Sequence, residues 1–198
     1  MAAGQNHSMG AARVVIVEYR SDWPGRAAEL ILALEEALAG HLDRIDHIGS
    51  TAIPGMAAKD LLDLQVGVSD LADADARFDL LLAALGFRRS EYESDHVPAG
   101  RADDPENWSK WLYQRQGHPQ GDVNLHVRRT GAPNHRLALL FRDWFRAHPA
   151  AVPAYSAFKV VLARTVPDLG GYTETKDPVV DLVIAAAEEW AERTSWVP

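Results

Sequence analysis

Leu61 to Val68 constrains the fold more than any other stretch of this 198-residue chain. Leu62, Leu64, Val66 and Val68 alternate with Leu61, Asp63, Gln65 and Gly67. A period of two belongs to a β-strand, and it sorts the wholly apolar set onto one face and Asp63 and Gln65 onto the other. A strand of this kind is covered on one side and free to carry polar chemistry on the other.

The elements around it follow from the same reading. Arg13 to Tyr19, with Val14, Val15, Ile16 and Val17, predicts a short strand, and Ile45 to Ile48 another. Between them Ser21-Asp22 and Pro24 open a helix running to about Gly40, with Ala27, Leu30, Ile31, Leu34 and Leu38 on one face. A second helix runs from Asp70 to near Gly86, followed by a short strand over Phe87 to Glu91. Ser94 to Glu106 is polar and irregular, a surface loop placed to cover a pocket. Lys110 to Gln116 and Asp122 to Arg128 read as strands joined by a turn. Helices follow from Asn134 to before Pro149, from Val152 to Ala163 and from Pro178 to Arg193. The fold class is α+β, a mixed sheet with flanking helices and a C-terminal helical layer. Residues 13–193 form one domain, preceded by a disordered segment over residues 1–12.

Composition narrows the function. There is no cysteine, which excludes disulfides, thiol nucleophiles and thiolate metal sites. No apolar run reaches the ~18 residues of a membrane span, and Met1 to Gly10 lacks the regions of a signal peptide, so a cytoplasmic location is expected. The net charge of −8 makes a nucleic-acid coat unlikely to form by bulk attraction. That charge is segregated, however. Residues 107–164 hold 2 acids and 9 bases, a cationic block inside an acidic protein. It reads either as a solvated basic face or as a pocket for an anion.

The candidate site begins where the strand over Ile45–Ile48 runs into Gly49-Ser50-Thr51. Glycine permits a close backbone approach, and the turn offers N–H groups and two hydroxyls to a phosphate. Lys59 then precedes the strand that carries Asp63, a carboxylate able to hold Mg²⁺. Gly-Ser-Thr also occurs in ordinary turns, so the pattern alone leaves both readings open. The chain has 16 arginines and only 4 lysines, at 59, 110, 159 and 176. Lys159 and Lys176 read as phosphate ligands or as helix-end residues. Asn124 and His126 share a strand face that would meet Asp63 if the two strands are neighbours. His126 is then an acid or base, or a structural donor. Arg142 and Arg146 share a helical face at i, i+4, as a phosphate clamp or as partners of Asp143. The remaining histidines have no zinc spacing.

The run from His47 to Asp63 resembles the signature of the GrpB family, whose fold is nucleotidyltransferase-like. The resemblance continues through Asn124-Leu125-His126-Val127, Phe141 to Arg146, Tyr155 to Lys159 and Tyr172 to Lys176, spanning roughly residues 13–190. It implies a nucleotide or another phosphorylated small molecule as ligand, and transfer of a nucleotidyl group from an NTP to a small acceptor with Mg²⁺ as the reaction. In that frame Gly49, Ser50, Thr51, Lys59, Gln65, Asn124, Arg142, Lys159 and Lys176 bind phosphate or nucleotide. Asp63 is the metal ligand, and Asp63 and His126 are the catalytic pair. The superfamily carries a second acid two residues beyond the first, where this chain has Gln65, and a third on a neighbouring strand, where it has Asn124-Leu125-His126. One carboxylate does not hold two hard cations as three do. The alternative is a non-catalytic ligand-binding or partner-assisting module, in keeping with the similar domain fused behind dephospho-CoA kinase in some actinobacteria.

Overall fold

A computed structural model of the chain describes residues 13–166 and 168–198, without the side chains of 73–76. The segment over residues 1–12, expected to be disordered, lies outside the described residues. Five strands form one mixed sheet in the order β1-β2-β5-β4-β3: β1 (Arg44–Ile48), β2 (Leu61–Val68), β3 (Arg88–Arg89), β4 (Lys110–Arg115) and β5 (Asp122–Arg129). The pairs β1–β2, β4–β5 and β3–β4 are antiparallel, while β2 and β5 run parallel at the centre. The register sets Asp63 beside Asn124 and Gln65 beside His126.

The alternation in β2 does what its period requires. Leu62, Leu64, Val66 and Val68 are buried with Val123, Leu125 and Val127 under α1 (Trp23–Ala37) and α2 (Leu71–Ala84). Burying such a side chain is worth about 1.5–3 kcal/mol, so this layer fixes the register against a one-residue slip. The opposite, polar face meets the C-terminal layer: α3 (Pro133–Ala147), α4 (Val152–Thr165) and α5 (Leu169–Thr194). Leu137, Leu140, Ile184 and Ala187 join α3 to α5, while Ile53, Met56, Phe145, Val152 and Tyr155 seat the segment after β1 on α3 and α4.

Two expectations change. Arg13 to Tyr19 makes one isolated bridge, Val17 to Ala58, and no strand. Its apolar residues serve instead to pack against the helices, Val14 with Leu162, Ala163 and Tyr172. The last helix begins nine residues before Pro178 and runs through it. Asp168 caps it by accepting from the Gly171 N–H, and buried Tyr172 anchors its first turns, which offsets the bond lost at the proline.

Candidate functional site

The site forms where β1 ends and the chain turns across the polar face of β2. Gly49 has φ 67° and ψ −167°, a region almost confined to glycine. A Cβ there would lie 2.6 Å from Asp63 Oδ2, so the turn packs directly on the carboxylate. Two arginines of α3 hold the ends of this turn. Arg142 donates to the His47 carbonyl at 3.1 Å and also pairs with Asp46 and Asp143. Arg146 donates from Nε and Nη2 to the Ala52 carbonyl. The Thr51 hydroxyl points inward, 2.9 Å from His47 Nε2, and Thr51 is buried. Of the three turn residues, then, Gly49 and Ser50 face the site and Thr51 braces it.

Around the turn stand three of the four lysines. Lys159, only 2% exposed, donates to Ser50 Oγ at 2.9 Å. Burial, with Lys176 nearby, pushes its ammonium down to about 7 despite the opposing pull of Asp63. Lys176 is lowered as well, by burial and then by Lys59. Neither Lys59 nor Lys176 makes a hydrogen bond or an ion pair among the described residues. Three lysines therefore gather at Asp63, with Asp177 a further counter-charge for Lys176, an arrangement short of negative charge.

Asp63 accepts from Asn124 Nδ2 at 3.1 Å, and His126 Nε2 stands 3.7 Å from Oδ1. Burial disfavours the charged carboxylate, yet His126, Lys59 and Asn124 outweigh it and hold the group at about 2. His126 is itself lowered, by burial and then by Arg128, so it is neutral near pH 7. Arg128 Nη2 lies 3.3 Å from its Nδ1. A guanidinium only donates, so Nδ1 accepts and the proton sits on Nε2, facing Asp63.

One strand repeat deeper the polar face is closed. Gln65 is fully buried, donates to the His135 carbonyl at 3.1 Å and accepts from Arg128 Nη1 at 2.5 Å. Asp95, from the irregular loop, accepts from Arg128, Lys110 and Asn134 and thereby pins that loop on the sheet. Its carboxyl stays well below the usual range: burial opposes the charge, but Arg128 and Lys110 prevail. The residues expected at the site thus divide. Gly49, Ser50, Lys59, Asp63, Asn124, His126, Lys159 and Lys176 converge, whereas Thr51, Gln65 and Arg142 are engaged in the scaffold. Sequence reasoning missed Asp95, Lys110 and Asn134. Arg128 was within reach, because it shares parity on β5 with Asn124 and His126.

The oxygen donors present suit one divalent ion at most. Asp63 is the carboxylate that packs on the turn, the Asn124 Oδ1 already accepts from Gln114, and the described residues contain no group of three His, Asp or Glu able to hold a metal. A single Mg²⁺ needs few protein ligands when substrate phosphates and water supply the rest.

The brace has a consequence for stability. Burial pushes His47 down to about 4, with Asp63 opposing and Arg146 and Arg142 adding to the shift. Its folded-state value lies below its unfolded value near 6.5, so the unfolded chain takes up the proton first as pH falls. Stability is therefore lost between about pH 6.5 and 4, by roughly 3 kcal/mol at full effect. Urea midpoints measured across that range should fall less steeply in His47→Gln; equal slopes would contradict the assignment.

The chain as a whole has known relatives. A model of the family described as GrpB protein matches residues 13–186. The chain is 35% identical over 94% of its length to a protein of Mycolicibacterium paratuberculosis named dephospho-CoA kinase, covering 49% of that protein. It is 29% identical to UPF0157 protein YqkA of Bacillus subtilis, over 93% of the chain and 50% of the relative. To UPF0157 protein SCO7215 of Streptomyces coelicolor it is 32% identical, over 81% of the chain and 78% of the relative. The chain thus spans about half the length of the first of these curated relatives. The crystal structure of conserved protein GrpB from Enterococcus faecalis superposes with a TM-score of 0.70 at 24% identity, over 89% of this chain and 99% of that one, which shows the same fold. With the family model matching nearly the whole described chain, this protein belongs to the GrpB family.

Proposed function

We propose that the protein binds a nucleotide or another phosphorylated small molecule, with its phosphates on Lys59, Lys159, Lys176 and the Gly49-Ser50 turn. The observation that carries this reading is the meeting of three lysines around one carboxylate. Burying ammonium groups without counter-charge is unfavourable, and a phosphate chain supplies what is missing. The name of the Mycolicibacterium relative is in keeping with a nucleotide-related ligand.

The reaction that fits such a site is nucleotidyl transfer. An acceptor hydroxyl attacks the α-phosphorus and gives up its proton to solvent, the α–β P–O bond breaks, and pyrophosphate leaves with the electron pair. Asp63, held near 2, is a poor proton acceptor and suits holding charge. One Mg²⁺ arriving with the nucleotide, with Asp63 among its ligands, would supply charge neutralisation at the phosphates. The neutral His126 presents its Nε2–H toward Asp63 Oδ1 and orients the carboxylate. Lysine ammonium groups neutralise the leaving phosphates. The second reading, a non-catalytic binding module, is favoured by one observation: the amide at position 65 is engaged at both ends, so no second acid faces the turn.

Calorimetry with ATP, CTP, GTP, UTP and phosphorylated CoA precursors, with and without Mg²⁺, tests the proposal. Binding by none of them sinks it. Pyrophosphate release separates the two readings, and release that persists unchanged in Asp63→Ala removes Asp63 from an essential role.

Lys159 gives a sharper test. A bound phosphate favours its charged form, so affinity is highest below pH 7 and weakens as pH rises through about 7. A loss of about tenfold between pH 6.5 and 8.5, with proton uptake on binding at neutral pH, is expected. Lys159→Met should abolish that pH dependence while leaving the fold at least as stable, since a buried cation is removed. A pH-independent affinity would rule out Lys159 as a ligand.

A further inference from the structure

On the other side of the same sheet end lies a second basic cluster that the lysine site does not use. Arg115, the last residue of β4, is only 4% exposed, and its Nε is buried with no hydrogen-bond partner. It forms no ion pair among the described residues. Its guanidinium rests over the Phe87 ring at 5.2 Å, and the charge nearest to it is another cation, Arg26. A buried guanidinium without an acceptor calls for an explanation, because desolvation of its donors goes uncompensated.

The space beside it supplies one. A cavity of about 410 Å³ is lined by Arg20, Arg26 and Arg115, by the acids Asp22, Glu29 and Asp60, and by Leu30 and Leu62 as apolar wall. Two of these acids are engaged by neighbours: Asp60 accepts from Trp23, Arg26 and Arg20, and Asp22 from Arg20. Glu29 is exposed and makes no hydrogen bond or ion pair with Arg115. Arg26 is held in place by Asp60 and the Gln120 carbonyl, against Gly121, where φ is 92° and a side chain would collide with the guanidinium. One arginine is thus fixed and partnered, and the other is buried and open.

We infer that this cavity binds a small oxyanion, a carboxylate or phosphate ester with a short apolar body, on the free guanidinium of Arg115 with Arg26 beside it. A planar fork of donors matches both oxyanions bidentately, and Leu30 and Leu62 accommodate the body. This site is independent of the lysine-ringed turn: Asp60 and Leu62 point to the α1 side of β2, and Asp63 points to the other.

The test uses the full chain with ¹⁵N-labelled arginine, titrated separately with inorganic phosphate and with butyrate at constant ionic strength. The Arg115 Nε–H resonance, assigned through its contacts to the Phe87 ring, should shift saturably with one or both anions and stay unmoved by chloride. A response to phosphate alone identifies a phosphate ester, and a response to butyrate a carboxylate. Arg115→Gln should weaken the affinity read at the neighbouring Arg26 Nε–H resonance at least about tenfold, while the Arg115 shift persists in Lys159→Met whatever that variant does at the turn. An Arg115 resonance that fails to shift, or that follows chloride equally, overturns the inference. So does loss of the Arg115 shift in Lys159→Met, which would assign the anion to the turn. The wild-type titration decides the matter even if Arg115→Gln does not fold.

Discussion

Asp95→Ala is expected to destabilise the protein by about 3–5 kcal/mol, the range found when one partner of a buried ion pair is removed. Asp95 receives Arg128 from Nε at 2.8 Å and Nη2 at 3.0 Å, Lys110 at 2.6 Å and Asn134 at 3.0 Å. Arg128 and Lys110 are 5% and 8% exposed, so deleting the carboxylate leaves two buried cations facing each other. Burial lowers the Lys110 ammonium, and Arg128 adds to the shift while Asp95 opposes it. Urea denaturation should show the lower midpoint at an unchanged slope. The double variant Asp95→Ala/Arg128→Met should recover part of the loss, because it removes one stranded charge and retains apolar volume. A single variant within about 1 kcal/mol of wild type would mean that water solvates the three groups and the loop is not pinned.

That network also shows where sequence reading stops. Even-numbered positions on β5 put Asn124, His126 and Arg128 on one face by parity alone, and the scarcity of lysine drew attention to Lys59, Lys159 and Lys176, which converge. Asp95 was not legible, since no period relates an irregular loop to the strand beneath it. Gln65 illustrates the opposite difficulty. Parity placed it correctly beside Asp63, but only the presence of Arg128 and His135 on either side shows that its amide is structural. Arg142 and Arg146 were rightly paired at i, i+4, yet their targets are carbonyls on a turn about 95 residues away in sequence. Pro178 read as a helix start because a proline favours the first turn. The earlier cap at Asp168 and the buried Tyr172 carry the helix past it, and both are tertiary facts. Local pattern thus located faces and elements; partners across the fold decided what each polar residue does.

Gly49→Ala is expected to remove ligand binding, by about a hundredfold or more, and to lower stability by about 2–4 kcal/mol. Two costs combine there. The backbone at φ 67° and ψ −167° is one that alanine rarely adopts, worth about 1–3 kcal/mol. The new methyl group also meets Asp63 Oδ2 at 2.6 Å and Asp63 Cβ at 3.0 Å, contacts that require the strand or the turn to shift. Movement of the turn separates Ser50 from Lys159 and the carboxylate from its neighbours, which is why binding suffers more than stability. Gly49→Ala/Asp63→Ala separates the two costs. With the carboxylate gone the 2.6 Å collision is relieved and the 3.0 Å contact with Cβ remains, so the double variant should be more stable than Gly49→Ala alone, while the dihedral penalty persists. If the two variants prove equally stable, the backbone conformation is the whole cost. If Gly49→Ala binds nucleotide as wild type does, the turn is not where the phosphates sit, and the lysines must act on a ligand approaching from elsewhere.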